Sequence, residues 1–221
     1  MKALAIYAGP QAKQHLALHG LSASDVRVIP AAAGGPKGLI LGPLDRFMFN
    51  EWLPSSQQSI DLVGASIGAW RMATACLPES RAGLLRLEHD YIHQHYELKP
   101  GEKFPSAQQI SESFRENLDL FYGGLVEPLL SHPRFRLHVL TSRGKGLLHR
   151  EHPVLSPLGY GGAFLSNLIS RKAMGASLER VVFSSAGALP FGTQDYATRQ
   201  LPLTTRISWM CCKPVAPFHL F

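Results

Sequence analysis

Residues 60–68 have the sequence IDLVGASIG, and this stretch defines the fold of the chain better than any other. Its mostly apolar start predicts a short strand, and Ile67–Cys76 predicts a helix. The turn between them has the pattern G-x-S-x-G, with Gly64 and Gly68 on either side of Ser66. A sharp strand-to-helix turn crowds its own backbone, needs glycines there, and lifts the serine hydroxyl above the sheet edge. We therefore predict that Ser66 is a nucleophile; the alternative is a serine in a tight turn without chemistry.

A glycine-rich segment lies one strand–helix unit upstream of this turn. The strand predicted over Asp25–Ala31 leads into residues 33–38, AGGPKG, and then into a helix over Leu39–Trp52. A serine that attacks an ester builds up an oxyanion, which backbone N–H groups of such a loop can stabilise. Pro36 has no N–H, and Gly35 and Lys37 are the best candidates. The full set of predicted donors is Gly34, Gly35, Lys37 and Gly38.

A phosphate-binding loop is the alternative for this glycine-rich segment. The pattern G-x-x-x-x-G-K-[ST] is not matched, and G-x-G-x-x-G fails because Ala33 stands where its first glycine should be. A nucleotide site is therefore not expected.

The rest of the chain alternates between apolar, β-rich stretches and helical patterns, which is typical of an α/β fold. Parallel strands joined by helices predict a mostly parallel sheet with helices on both faces. The predicted strands are Ala3–Ala8, Asp25–Ala31, Ile60–Val63, Phe135–Thr141 and Leu178–Phe183. The remaining predicted helices are Gln11–His19, Glu79–Tyr96, Ser106–Phe121 and Gly162–Ala173.

Together, the two glycine motifs resemble those of the patatin-like phospholipase family. Gly34–Gly38 matches the family's oxyanion loop, G-G-x-[RK]-G, and Gly64–Gly68 matches its nucleophile turn; Phe183–Ala188 is similar to a core strand. The resemblance covers about residues 25–200. It implies a three-layer α/β/α sandwich and a serine hydrolase that cleaves lipid or phospholipid acyl esters. It also implies a Ser–Asp dyad without histidine, and no cofactor.

The aspartate of that dyad has no direct counterpart here. In the family it lies in an Asp-Gly-Gly or Asp-Gly-Ala motif, and none of the six aspartates of this chain precedes a glycine. Asp195 is the substitute base that we consider, because it follows the Val181–Phe183 strand; the alternative is a surface aspartate. Asp61, three residues before Gly64, is expected to anchor local hydrogen bonds.

The last stretch of the chain, about residues 200–221, has neither strand nor helix periodicity. We expect residues 1–221 to form a single patatin-like domain that has lost the dyad aspartate by truncation or frameshift. The alternative function is a catalytically inactive remnant that binds lipid or a partner.

Composition excludes several classes of protein. Of the 221 residues, 45% are hydrophobic and 17% charged, which excludes a disordered chain, and three cysteines cannot staple a fold of this length. There is no apolar run of about 18 residues, so we expect a cytoplasmic protein without a membrane span. The net charge is +6, and the densest basic stretch is at Arg134, Arg136, Arg143, Lys145 and Arg150. Phe135 is its one aromatic residue, so nucleic acid is not expected; a solvated basic face and peripheral contact with anionic membrane are the alternatives.

A metal site is not expected. His89 and His93 have the i, i+4 spacing that can place two ligands on one helix face, but H-E-x-x-H is absent and no third ligand is evident. Solvent-exposed polar residues are the preferred interpretation of these histidines and of His95. Cys76 is expected to be a small buried apolar residue, and the adjacent Cys211 and Cys212 form neither a disulfide nor a metal pattern.

Overall fold

The computed structural model describes residues 5–94, 107–145, 170–195 and 197–204, together with positions 148, 159, 161, 162, 164–166, 168, 218 and 219. Its helices are α1 (Pro10–His19), α2 (Gly42–Phe47), α3 (Ile67–Ala75), α4 (Ser80–Ile92), α5 (Ala107–Tyr122), α6 (Val126–Leu130) and α7 (Arg171–Met174). Its strands are β1 (Val28–Ala31), β2 (Ile60–Ala65), β3 (Phe135–Gly144), β4 (Leu178–Ser184), β5 (Thr198–Pro202) and β6 (Phe218–His219). None of the described helices is long and apolar enough to cross a membrane.

The strands form one sheet in the order β1-β2-β3-β4-β5. β1, β2 and β3 are parallel, β4 runs antiparallel to β3, and β5 is parallel to β4. The register aligns Ala65 with Leu140. The short β6 pairs with Ser142 and Arg143 of β3. It lies on the same edge of β3 as β2, which ends at Ala65, because β4 occupies the other edge. The predicted α/β class with a mostly parallel sheet is thus confirmed.

One face of the sheet forms the main core. Leu62 on β2 and Leu137 and Val139 on β3 are fully or almost fully buried and pack with Met72 of α3. Side chains alternate between the faces of a strand, so Asp61 of β2 and Arg136 and His138 of β3 point away from this core. β2 is buried on both faces, which explains why its nearly continuous apolar sequence predicts a strand.

Several predicted elements differ from the structure. Residues 5–8 of the predicted strand Ala3–Ala8 are not a strand; Ile6 and Tyr7 are exposed and pair with no described strand. The strand expected at Asp25 begins at Val28, because Ser22 and Asp25 cap a short 3₁₀ turn first.

The helix predicted over Leu39–Trp52 is irregular. A 3₁₀ helix over Gly35–Leu41 is followed by α2 and then by π-type bonding over Met48–Trp52. Pro43 lacks the N–H group that a continuous α-helix from Leu39 would need. The predicted helix Gly162–Ala173 is interrupted at Ser170, whose side chain caps α7.

The other predicted helices and strands are present, with their ends shifted by a few residues. The ends predicted at Tyr96 and Ser106 lie outside the described residues, and β5 was not predicted.

Candidate active site

Ser66 lies in a strained turn between β2 and α3. Its φ of 52° and ψ of −128° make it the only non-glycine residue with positive φ among those the structure describes. A side chain rarely adopts this conformation, which costs about 1–3 kcal/mol and tends to occur at functional sites. The strand–turn–helix context and the strained serine are the geometry that a nucleophile in G-x-S-x-G requires.

The two glycines of the turn are required by close backbone contacts. A Cβ atom on Gly64 would lie 2.5 Å from the Cα of Ala69, and one on Gly68 would lie 2.2 Å from the carbonyl oxygen of Ala31. Backbone atoms cannot move aside cheaply, so α3 packs against β1 and β2 only with glycine at both positions. This explains the pattern of the motif without reference to its chemistry.

The glycine-rich loop is packed against the Ser66 turn. A Cβ on Gly38 would lie 2.6 Å from Cγ2 of Ile67, the residue after the serine. Gly35 has a φ of 53°, a left-handed conformation that favours glycine. The two motifs found in the sequence are therefore neighbours in space, as an oxyanion loop and its nucleophile must be.

Helical bonding narrows the choice of oxyanion donors. In the 3₁₀ helix that begins at Gly35, the N–H groups of Lys37 and Gly38 donate to the carbonyls of Gly34 and Gly35. The predicted donors Lys37 and Gly38 are therefore engaged, whereas the amides of Gly34 and Gly35 precede the first helical hydrogen bond.

The amide of Ile67 is a further candidate donor that the sequence argument missed. In the first turn of α3 the carbonyl of Ser66 accepts hydrogen bonds from the amides of Ala69 and Trp70, so the amide of Ile67 lies ahead of the intrahelical bonds. The amide that follows a nucleophile on such a turn commonly points into the oxyanion hole. The motif G-x-S-x-G could have indicated this amide, because Ile67 is the residue that follows its serine.

Asp195 does not contact Ser66. Its two carboxylate oxygens accept hydrogen bonds from the guanidinium of Arg180 at 3.0 and 2.6 Å, and the same guanidinium contacts Thr198. The Arg180–Asp195 ion pair connects the loop after β4 to β4, and the contact of Arg180 with Thr198 connects β4 to β5. Within the described part of the chain, the half-buried Ser66 hydroxyl has no hydrogen-bond partner, so none of the described residues is placed as its base.

A second serine belongs to a buried Ser–His–Asp relay that the sequence argument did not find. Nδ1 of His138 lies 2.9 Å from Oγ of Ser184, and its Nε2 lies 2.9 Å from Oδ1 of Asp61. Arg136 donates to the other oxygen of Asp61 at 2.7 Å. Asp61 does anchor hydrogen bonds, but its partners are 75 and 77 residues away on β3, so the expectation of local bonds is wrong; the relay joins β2, β3 and β4.

The hydroxyl of Ser184 is engaged in this relay. Besides the contact with His138, it donates to the carbonyl of Ala186 at 2.6 Å and accepts from the amide of Ala186 at 3.1 Å. A serine hydroxyl has one proton, and in either tautomer of His138 that proton is engaged, by Nδ1 or by the Ala186 carbonyl. Ser184 lines a cavity of about 460 Å³, but its hydroxyl proton is already engaged.

Comparisons of the chain with protein-family models, curated proteins and solved structures found no match. What the site can do is therefore inferred from its geometry. The strained serine, the adjacent loop and the uncommitted amides of Gly34, Gly35 and Ile67 are the parts needed to form and stabilise a tetrahedral adduct.

The remaining sequence candidates take structural positions. His89 and His93 are exposed and stack at 4.2 Å, and no group of metal-binding side chains occurs among the described residues. Cys76 is buried, as expected, and burial raises the pKa of its thiol. His95, Cys211 and Cys212 lie outside the described residues.

The basic stretch is divided between the two ends of β3. Near its start, the guanidinium of Arg134 donates to the carbonyls of Leu53 and Gln58, and Arg136 is paired with Asp61. Near its end, Arg143 lies beside Glu179. Arg150 lies outside the described residues. The described arginines of the stretch therefore lie at two separate places, and membrane contact by this stretch stays a prediction.

Proposed function

We propose that this chain is a serine acyl hydrolase of the patatin-like type, with a three-layer α/β/α sandwich, that cleaves lipid or phospholipid acyl esters in the cytoplasm at a membrane surface. The observation that supports it best is the positive φ of Ser66 between two glycines that no larger residue can replace. No cofactor or metal is needed, since the serine is the nucleophile and backbone amides are the electrophilic groups.

The reaction follows from the positions of these groups. The Ser66 hydroxyl attacks the ester carbonyl and loses its proton to a base. The oxyanion is held by the amides of Gly34, Gly35 and Ile67, each worth ~10²–10³ in rate. Collapse of the adduct transfers the proton to the leaving alcohol and leaves the acyl group on Ser66, and water then releases the acid with help from the same base.

The base is the part of the mechanism with two candidates. Asp195 serves only if it leaves Arg180 when substrate binds, because both its oxygens are engaged. His219 is the second candidate: β6 pairs it with Ser142, so its backbone lies in the row just beyond Ser66. Histidine is the side chain most often used as a base near neutral pH.

The second candidate function is a catalytically inactive remnant of the fold that binds lipid or a partner. The observation in its favour is the engagement of Asp195 by Arg180, which leaves Ser66 without a described base. The two functions differ in whether Ser66 reacts covalently.

Labelling by a fluorophosphonate probe, with turnover of p-nitrophenyl esters, tests the proposal. Ser66→Ala should abolish both, whereas Ser184→Ala is the matched control because Ser184 is the serine that contacts a histidine which in turn contacts an aspartate. Loss of labelling in Ser184→Ala alone would move the nucleophile to the buried relay. Neither labelling nor turnover in folded wild-type protein would favour the inactive remnant. Asp195→Asn and His219→Ala then identify the base.

A further inference from the structure

A buried ion pair joins the two elements that carry the proposed site. Nε and Nη2 of Arg71 donate to Oδ2 and Oδ1 of Asp45 at 2.5 and 2.7 Å. Arg71 belongs to α3, which begins directly after Ser66. Asp45 belongs to α2, which continues the 3₁₀ helix of the glycine-rich loop. Each of the two side chains is only 7% exposed, so both charges are almost completely removed from water.

A second contact lies along the same interface, closer to Ser66. A Cβ on Gly38 would lie 2.6 Å from Cγ2 of Ile67, so the backbone of the loop packs directly on the residue after the serine. Ile67 and Arg71 are four residues apart and therefore share one face of α3. The close packing at Gly38 sets how near the two elements approach, and the ion pair adds a second fixed point farther from Ser66.

Attraction between α2 and α3 does not require an ion pair at this place. Apolar side chains of similar volume are often as stabilising as a buried ion pair, or more so, because no charge then has to leave water. What the guanidinium and the carboxylate add is direction. Their two parallel hydrogen bonds hold the partners in one orientation, whereas flexible apolar side chains pack in several. The pair is therefore suited to fixing geometry more than to adding stability.

We infer that Asp45 and Arg71 are positioning residues for the reaction of Ser66. By fixing α2 against α3, the pair holds the candidate oxyanion amides of Gly34 and Gly35 where the tetrahedral adduct on Ser66 needs them. A displacement of about 1 Å at such a site reduces the rate by about 10²-fold. Both side chains are buried, so they act without touching substrate. The inference rests on the proposed function, because it concerns the geometry of that same site.

The double variant Asp45→Leu with Arg71→Met separates positioning from stability. It keeps α2 and α3 in apolar contact but removes the two directed hydrogen bonds, so kcat for a p-nitrophenyl ester should fall by about 10²-fold. KM should stay within about threefold of wild type, because oxyanion donors act mainly in the transition state. Urea unfolding shows that the protein assayed is folded. Arg71→Lys is the second variant: it keeps the charge but not the two parallel bonds, and its kcat should fall by roughly 10-fold.

Glu88→Gln is the matched control, because it removes an ion pair of the same helix. Glu88 accepts a hydrogen bond at 2.9 Å from Arg46, the residue next to Asp45, and so joins α2 to α4 instead of α3. None of the proposed reacting groups lies on α4. A partly exposed ion pair contributes little, so kcat of the control should stay within about twofold of wild type.

Three results would overturn the inference and leave Ser66 as the nucleophile. The first is a folded double variant with the kcat of wild type. The second is an equal loss of kcat in Glu88→Gln, because any loosening of α2 would then suffice. The third is a higher KM at unchanged kcat, because the pair would then serve substrate binding. Failure of the proposed function is seen separately, as absent fluorophosphonate labelling of wild-type protein, and it overturns the inference as well.

Discussion

The substitution Gly68→Ala tests the architecture of the Ser66 turn most directly. Its new methyl group would lie 2.2 Å from the carbonyl oxygen and 2.6 Å from the carbonyl carbon of Ala31. Ordinary contacts begin at 3.4 Å, so α3 and β1 must separate by more than about 1 Å at this point. Overpacking of this kind costs about 1–3 kcal/mol, and backbone partners place the cost at the upper end, about 3 kcal/mol.

Gly187→Ala is the control, because no atom lies within 4 Å of its added methyl group and its φ is not positive. Both substitutions reduce the entropy of the unfolded chain equally, by about 0.4–1 kcal/mol, so their difference isolates the contact with Ala31. Urea unfolding followed by circular dichroism should show Gly68→Ala to be the less stable by about 3 kcal/mol. Thermal melts should differ by roughly 6–12 °C. Stabilities within about 0.5 kcal/mol of each other would refute the tight turn.

Two further predictions concern buried charge. Arg71 and Asp45 are both buried and joined by two hydrogen bonds of 2.5 and 2.7 Å. Asp45→Asn should therefore lower the free energy of unfolding in urea by about 3–5 kcal/mol, and the double variant Asp45→Leu with Arg71→Met should recover much of this loss. An unchanged stability of Asp45→Asn would contradict this. Burial, with a smaller contribution from Arg134, lowers the pKa of His132, whose Nδ1 accepts from two backbone amides. A lowered folded-state pKa gives stability that is complete above pH 6.5 and is lost as the pH falls through the folded-state value. Melting temperature should therefore drop more from pH 7.5 to 5.5 in wild type than in His132→Asn, which keeps an acceptor without the charge, and equal drops would count against the assignment.

The strands and helices around Ser66 were predictable because their signals are local. Glycine at 64 and 68 is dictated by atoms of the same turn and of β1, and apolar runs before the turn define β2. Residues 5–8 show the limit of such reasoning. An apolar run indicates that a segment can form a strand, but a strand also needs a neighbour, and the sequence does not show whether one is present.

β5 shows the converse case. The sequence TRQLP over Thr198–Pro202 has no apolar alternation and predicts no strand. It is a strand because β4 offers its free edge, with Arg180 opposite Thr198 and Ser184 opposite Pro202. Tertiary pairing overrides a weak local preference there.

The candidate site, like the fold, has a part that the sequence predicts and a part that it does not. Ser66 and the glycine loop were found because each motif is a continuous segment with its own backbone requirement. The relay was missed because Asp61 and His138 are 77 residues apart and His138 and Ser184 are 46 apart. The partner of Asp195 was missed for the same reason, since nothing in the local sequence indicates that Arg180 takes both its oxygens.

The two serines show that hydrogen-bond occupancy, more than residue type, decides which of them is suited to chemistry. Ser184 has histidine and aspartate partners in line, but its hydroxyl proton is already engaged, and the relay holds three strands together. Ser66 lies five residues beyond Asp61, about 16 Å along the strand at ~3.3 Å per residue. It has no hydroxyl partner within the described residues, and it is held in a strained conformation beside uncommitted amides. The proposal that Ser66 rather than Ser184 is the nucleophile therefore rests on strain that close packing maintains at one end of β2 and on satisfied polar groups near the other end.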